Sequence, residues 1–158
     1  MRLQAAALAL ALHASAAHAG SPSCSGTLSG AVKGAFSCTV EAAVNAAGNV
    51  RLVIAAEAPP AGVKTLVPAE LEIPGPPAAG THTLKTLVGA RASVSTAAGA
   101  SWSAAKAKRN RGEVSLALES LERERSAGDA LTVSGSFHAR LVGAGRGKKG
   151  EIVLDVTF

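Results

Sequence analysis

The stretch CSGTLSGAVKGAFSC carries the only two cysteines of the chain, Cys24 and Cys38, inside a run that otherwise reads as one long strand. Leu28, Val32, Phe36, Cys38, Val40 and Val44 all fall on even positions, the two-residue period of a half-buried strand. A disulfide forbids that strand. Its Cα atoms must come within about 7 Å, whereas the same stretch fully extended would separate them by roughly 45 Å. The chain must therefore reverse between the cysteines, and Gly30 and Gly34 are the candidate pivots. A turn centred on Ala31 sets Cys24 opposite Cys38 and Gly26 opposite Phe36. A turn centred on Gly34 would set Cys24 opposite Val44 and need a bent arm, so the first register is the simpler. The spacing fits neither a C-x-x-C redox pair nor a paired zinc half-site. Closing such a loop contributes about 3 kcal/mol in the chain-entropy picture.

A structural disulfide implies an oxidising compartment, and the N-terminus agrees. Arg2, an Ala/Leu run over 5–12 and Ala17-His18-Ala19 have the layout of a secretory signal peptide cut after Ala19. The run is shorter than the roughly 20 apolar residues of a transmembrane helix. Cys24 lies beyond the cleavage site and lacks a lipobox, which argues against lipidation. The expectation is a leader over 1–19 and a single domain over 20–158, periplasmic or secreted. The formal net charge of the whole chain is +5, which falls to +4 without Arg2, too mild to identify a partner.

The two-residue period recurs along the remainder. Val50, Leu52 and Ile54 follow the turn at Asn45-Ala46-Ala47-Gly48-Asn49, predicting a hairpin with Val44 opposite Val50, Ala42 opposite Leu52 and Val40 opposite Ile54. Leu71 and Ile73 lie between Pro59-Pro60 and Pro74-Gly75-Pro76-Pro77, a bracketing that predicts an edge strand or crossover. Further β segments are expected over 81–84, 90–96, 101–104 and 113–118. The stretch LESLERER, 118–125, favours helix by residue type, but Leu121 off the even register suggests a strand end with a bulge or one helical turn. Last come two strong alternations, Leu131 to Leu141 on odd positions and Ile152 to Phe158 on even ones. They predict Leu141 opposite Ile152, Ala139 opposite Leu154, Phe137 opposite Val156 and Gly135 opposite Phe158. Many short strands with Gly and Pro turns predict an all-β antiparallel sandwich of roughly eight to nine strands.

GTHTL at 80–84, Trp102, GEVSLAL at 112–118 and VSGSF at 133–137 resemble the "GxYxL … W … GxVxL … VxGxF" layout of small secreted or lipid-anchored bacterial β-sandwich proteins of unknown function. His82 stands where those proteins carry an aromatic residue. The resemblance implies a sandwich and supplies no activity.

No motif points to catalysis, a metal or a cofactor. His82 and His138 show no metal-ligand spacing, and there is no G-x-S-x-G elbow and no phosphate loop. Alternation points His138 and Asp155 outward as solvated residues, and points Trp102 into the core. Glu119, Glu122 and Glu124 interleave with Arg123 and Arg125 as a self-compensating edge. Two basic clusters stand apart, KAKRNRG with Lys106, Lys108, Arg109 and Arg111, and GRGKKG with Arg146, Lys148 and Lys149. Both fall between strands. They are either solubilising charge or an anion-binding edge for an anionic envelope polymer or another envelope protein. Stacking platforms are scarce, with Phe36, Trp102, Phe137, Phe158 and no tyrosine. A terminal Phe158 after alternating apolar residues is also how outer-membrane barrels end, although the aromatic girdles of that class are missing. The sequence thus reads as an exported binding or structural module rather than an enzyme, with a polyanion-binding protein as the alternative.

Overall fold

The computed structural model describes residues 23–107, 111–123, 128–143 and 150–158. They form ten strands, all paired antiparallel: β1 (Cys24–Gly30), β2 (Gly34–Val44), β3 (Val50–Ala56), β4 (Val63–Ile73), β5 (Gly80–Thr83), β6 (Gly89–Thr96), β7 (Ser101–Ala105), β8 (Glu113–Arg123), β9 (Ala130–Gly143) and β10 (Glu151–Thr157). No helix occurs among the described residues.

The strands close on themselves. From β9 the ladder runs through β10, β1, β2, β3, β4, β6 and β7 and returns to β9, an eight-strand barrel with β8 and β5 added on the edge of β9. This corrects the expected sandwich. Alternation of apolar and polar residues is the same in both architectures; closure depends on which distant strands meet. Here β9 decides it. Its fourteen residues are long enough to serve two neighbours on each edge, β10 and β2 on one, β8 and β7 on the other.

The local registers follow the expectations. Cys24 pairs with Cys38 and Gly26 with Phe36, around a turn at 31–33 entered through Gly30, whose φ of 98° suits glycine. The disulfide is formed, with a Cα–Cα distance of 4.9 Å. Gly26 is needed for space as well, because a Cβ there would overlap the Phe36 ring. Val44 pairs with Val50, Ala42 with Leu52 and Val40 with Ile54. In the last hairpin Leu141 pairs with Ile152, Ala139 with Leu154 and Phe137 with Val156, while the backbones of Gly135 and Phe158 exchange hydrogen bonds of 2.7 and 3.0 Å.

Two elements depart from the sequence reading. β4 is a central strand of eleven residues, flanked by β3 and β6, rather than an edge or crossover. It carries a buried Pro68 in mid-strand, tolerated because the β4–β6 register shifts between Val67 and Glu70, where a missing N–H breaks no regular ladder bond. β8 runs to Arg123, with a register shift between Leu118 and Ser120 that returns Leu121 to the core side, opposite Val133. The bulge alternative is therefore the one adopted; Glu124 and Arg125 lie outside the described residues.

Eight strands enclose a lumen just wide enough for side chains to fill. Leu52, Ile54, Ile73, Leu116, Phe137, Leu141, Ile152 and Leu154 are all fully buried, and among the described residues no polar or charged residue is buried. Outward positions are polar: Ser25, Thr27 and Ser29 on β1, Thr132, Ser134, Ser136, His138 and Arg140 on β9. A lipid-spanning barrel has the reverse polarity, apolar outside and polar within. No helix among the described residues is long and apolar enough to cross a membrane.

Candidate functional site

Among the described residues the buried side chains are apolar, and a polar grouping on the outer face lies across β8, β9 and β10. The register sets Glu113 opposite Arg140, and Ser115 opposite His138 opposite Asp155. Arg140 spans its two neighbours, donating to Glu113 Oε1 at 2.8 Å and Glu151 Oε1 at 2.7 Å, with a further bond to the Arg111 carbonyl at 3.3 Å. The Arg140 hydrogen bond, reinforced by its charge, holds the Glu113 carboxyl below the usual carboxylate range. Donating hydrogen bonds to Glu113 and Glu151 in turn raises the Arg140 pKa.

The predicted basic residues divide into three groups. Lys106 donates from Nζ to the Leu87 carbonyl, so it ties the β7–β8 connection to the turn after β5. Arg111 is exposed beside the Arg140 network. Lys108, Arg109, Arg146, Lys148 and Lys149 lie outside the described residues. The flanks of the two basic connections nevertheless meet. Arg111 ends one, Gly150 and Glu151 follow the other, and Arg140 bonds both Arg111 and Glu151. Trp102, buried as expected, fixes the second flank by donating from Nε1 to the Gly150 carbonyl at 3.3 Å. One strand lies between the flanks, a separation of about 10 Å.

Ser115, His138 and Asp155 supply the residue types of a nucleophile, base and orienting carboxylate. His138 Nδ1 and Asp155 Oδ1 are 2.7 Å apart, but both side chains are about half exposed and no hydrogen bond joins Ser115 to His138. The serine is not activated in this geometry. His82 behaves differently from a solvated strand histidine: it sits opposite Leu116 on the core-facing side, with Nε2 buried and unpartnered. It occupies the inward slot expected of an aromatic. Among the described residues no group of three or more His, Cys, Asp or Glu side chains is placed to hold a metal.

Beside this grouping lies a depression of about 490 Å³. Thr83, Leu84 and Lys85 form one side of it, Glu113, Val114, Ser115 and His138 the other. It exists because β5 stops at Thr83, opposite Ser115, so β8 continues through Val114 and Glu113 without a strand on that edge. The chain turns away there, with Thr86 and Leu87 N–H groups bonding the Thr83 carbonyl.

Sequence reasoning missed Arg140, Glu113, Glu151 and Lys85. The His138–Asp155 pair was within reach, since the register that sets Phe137 opposite Val156 also sets His138 opposite Asp155. Arg140 had no such signal, because its partner Glu113 comes from a strand pairing that spans 27 residues. A second network was also hidden. Asn45 and Asn49, legible as turn residues, donate to Glu72 at 3.0 and 2.8 Å, Asn49 contributing most to lowering the Glu72 pKa. They latch the β2–β3 turn to β4. No known protein family, curated protein or solved structure matches the chain.

Proposed function

We propose that this chain is an exported, non-enzymatic binding or structural module of the bacterial envelope, periplasmic or secreted, which engages its partner on the outer surface of the barrel. The observation that carries this reading is the filled apolar interior, which leaves no enclosed polar chamber among the described residues for chemistry on a small substrate. The formed disulfide supports an oxidising compartment, and the leader read over 1–19 supports export.

A second reading, that the partner is an anionic polymer of the envelope, rests on the convergence at Arg140 of the flanks of the two basic connections. Arg140 itself is balanced by Glu113 and Glu151. The binding charge in this reading comes from Arg111 together with Lys108, Arg109, Arg146, Lys148 and Lys149. Several cations on one polyanion release counterions together, so affinity falls steeply with salt. Retention on heparin tests this. For about six contacts the affinity should drop roughly a thousandfold between about 50 and about 200 mM salt. Neutralising 108, 109 and 111, or 146, 148 and 149, should weaken binding, and neutralising both sets should abolish it, with Lys106 kept because it holds Leu87. Binding that ignores salt or survives both sets of changes would remove the polyanion reading.

A further inference from the structure

We infer that the open edge of β8 over 119–123 is a self-association surface, on which a second copy of this chain lays the same segment antiparallel about a twofold axis at Leu121. The inference is independent of the polyanion reading and goes beyond it, since it names a partner and a register. The site exists because β8 outruns its neighbour. β5 covers only Ser115 to Leu118, and it starts at Gly80, opposite Leu118, whose φ of 145° lies outside the strand region. Among the described residues no strand pairs with 119–123 on the side away from β9. Such an edge is a template for another strand.

Two observations select a second copy as the occupant. The first is the direction of the backbone groups. Gly135 exchanges both of its main-chain hydrogen bonds with Phe158, and the Asp129 carbonyl accepts from the Val44 N–H, so the odd-numbered residues of β9 turn these groups away from β8. Leu121 stands opposite Val133 and Arg123 opposite Leu131. Residues facing such positions in an antiparallel ladder are not hydrogen-bonded to them, so the N–H and C=O of Leu121 and Arg123 point to the open edge. A twofold axis at Leu121 then lets that residue and the partner's Leu121 exchange two hydrogen bonds, the self-complementary arrangement of an isologous contact. The second observation is the order of charges. The same register sets Glu119 opposite the partner's Arg123 and Arg123 opposite the partner's Glu119, while Ser120 meets the partner's Glu122, so no like charges face each other. Within one chain that ion pair cannot form. Four residues along a strand span about 13 Å, and neither side chain has an ion-pair partner among the described residues. Glu119 is the extra residue at the β8 register shift, and both it and Arg123 are exposed. Leu121, half-buried against the core, adds an apolar contact at the axis. An unrelated extended peptide would use the edge backbone but leave this charge order unexplained.

The test is sedimentation equilibrium of the oxidised protein at concentrations from about 10 µM to about 1 mM. A monomer–dimer equilibrium should appear, a weak one, because five residues a side fall well below the about 20–30 of a standard interface. Arg123→Glu sets a glutamate against Glu119 at both symmetric positions and should weaken the dimer about tenfold, and Glu119→Arg should do the same with arginines. Combining the two changes reverses both pairs and should restore the affinity of the native chain to within about twofold. Both positions are exposed, so the amide spectrum of each monomer should match the native one away from 119–123. In an equimolar mixture of differently isotope-labelled copies, contacts between copies should fall within 119–123. A chain that stays monomeric throughout, a dimer indifferent to the single changes, or one that the double change fails to restore would each overturn the inference.

Discussion

The two edges of β9 are closed in different ways. On one edge the neighbours succeed each other by main-chain pairing: β10 along Ser136 to Val142, Phe158 against Gly135, then β2 at Leu131 and Ala130. On the other, β8 occupies Leu131 to Arg140 while β7 reaches only Val142 and Gly143, so the two strands part. Gly112 sits at the parting point, where a Cβ would collide with Ala104 and the Arg140 carbonyl. Below it the opening is filled by side chains, with Leu87 fully buried and Lys106 bonded to its carbonyl. A barrel wall can thus be shut by backbone ladders on one flank and by a plug and a tie on the other. The plugged flank is the one that leaves an open strand edge, and it carries the candidate site. Ligand surfaces and low local stability commonly coincide for this reason.

The largest effect should come from the laddered side. Phe158 is buried and its backbone pairs with Gly135. Phe158→Ala should cost about 3–5 kcal/mol in chemical denaturation, the scale for truncating a buried aromatic. A loss near zero would mean the last strand contributes nothing to closure. On the same flank, replacing Cys24 and Cys38 by serine should cost about 3 kcal/mol. The replacement should leave the amides at Leu84 and Lys85 unshifted, since the bridge lies between β1 and β2. Shifts in that turn would merge the two flanks into one unit.

On the plugged side, Leu87→Ala should cost about 2 kcal/mol, the low end for a core leucine, because a split wall relaxes around the void more than a laddered one. Hydrogen exchange should show β5 and the turn at 84–88 opening well below the global unfolding free energy, while β1, β2 and β10 exchange only on global unfolding. Uniform protection would erase the distinction.

The smallest effect is electrostatic. Arg140 holds Glu113 below the usual carboxylate range, so folding favours the ionised acid. Its contribution is complete above the ordinary glutamate value and disappears as pH falls through that value and on through the lowered one. The stability difference between the native chain and Glu113→Gln should therefore be present at neutral pH and shrink in acid. A difference that grows in acid would have the wrong sign.

Most of the laddered flank was legible in the sequence because the β1–β2 and β9–β10 pairings are local hairpins with apolar alternation on both arms, whereas the long-range pairing of Ala42 with Leu131 had no such signal. Cys24, Phe36, Phe137 and Val156 needed only a turn position to find their partners. The plugged flank was not legible. β5 meets β8 across more than thirty residues, and nothing in GTHTL names that neighbour. Lys106 looked like one more solubilising cation; only the parting of β7 and β8 gives it a carbonyl to hold. His82 carried no signal of the face it takes, because the short run GTHTL has no alternation long enough to assign one. The sandwich expectation failed for the same reason, since no alternation pattern states that β7 and β10 both return to β9. Pro68 misled in the opposite direction, because its cost is absorbed by a bulge visible only in three dimensions.

Closure is the claim on which the rest stands, and cross-strand NOEs test it most directly. A barrel requires contacts between the backbones of Ser103 and Val142 and between those of Val153 and Arg140, the two pairings that join β9 to β7 and to β10. Both sets should be present in the oxidised protein, with slowly exchanging amides on either side. If both are absent and the facing edges exchange freely, the sheet is open and the account of its two flanks is wrong.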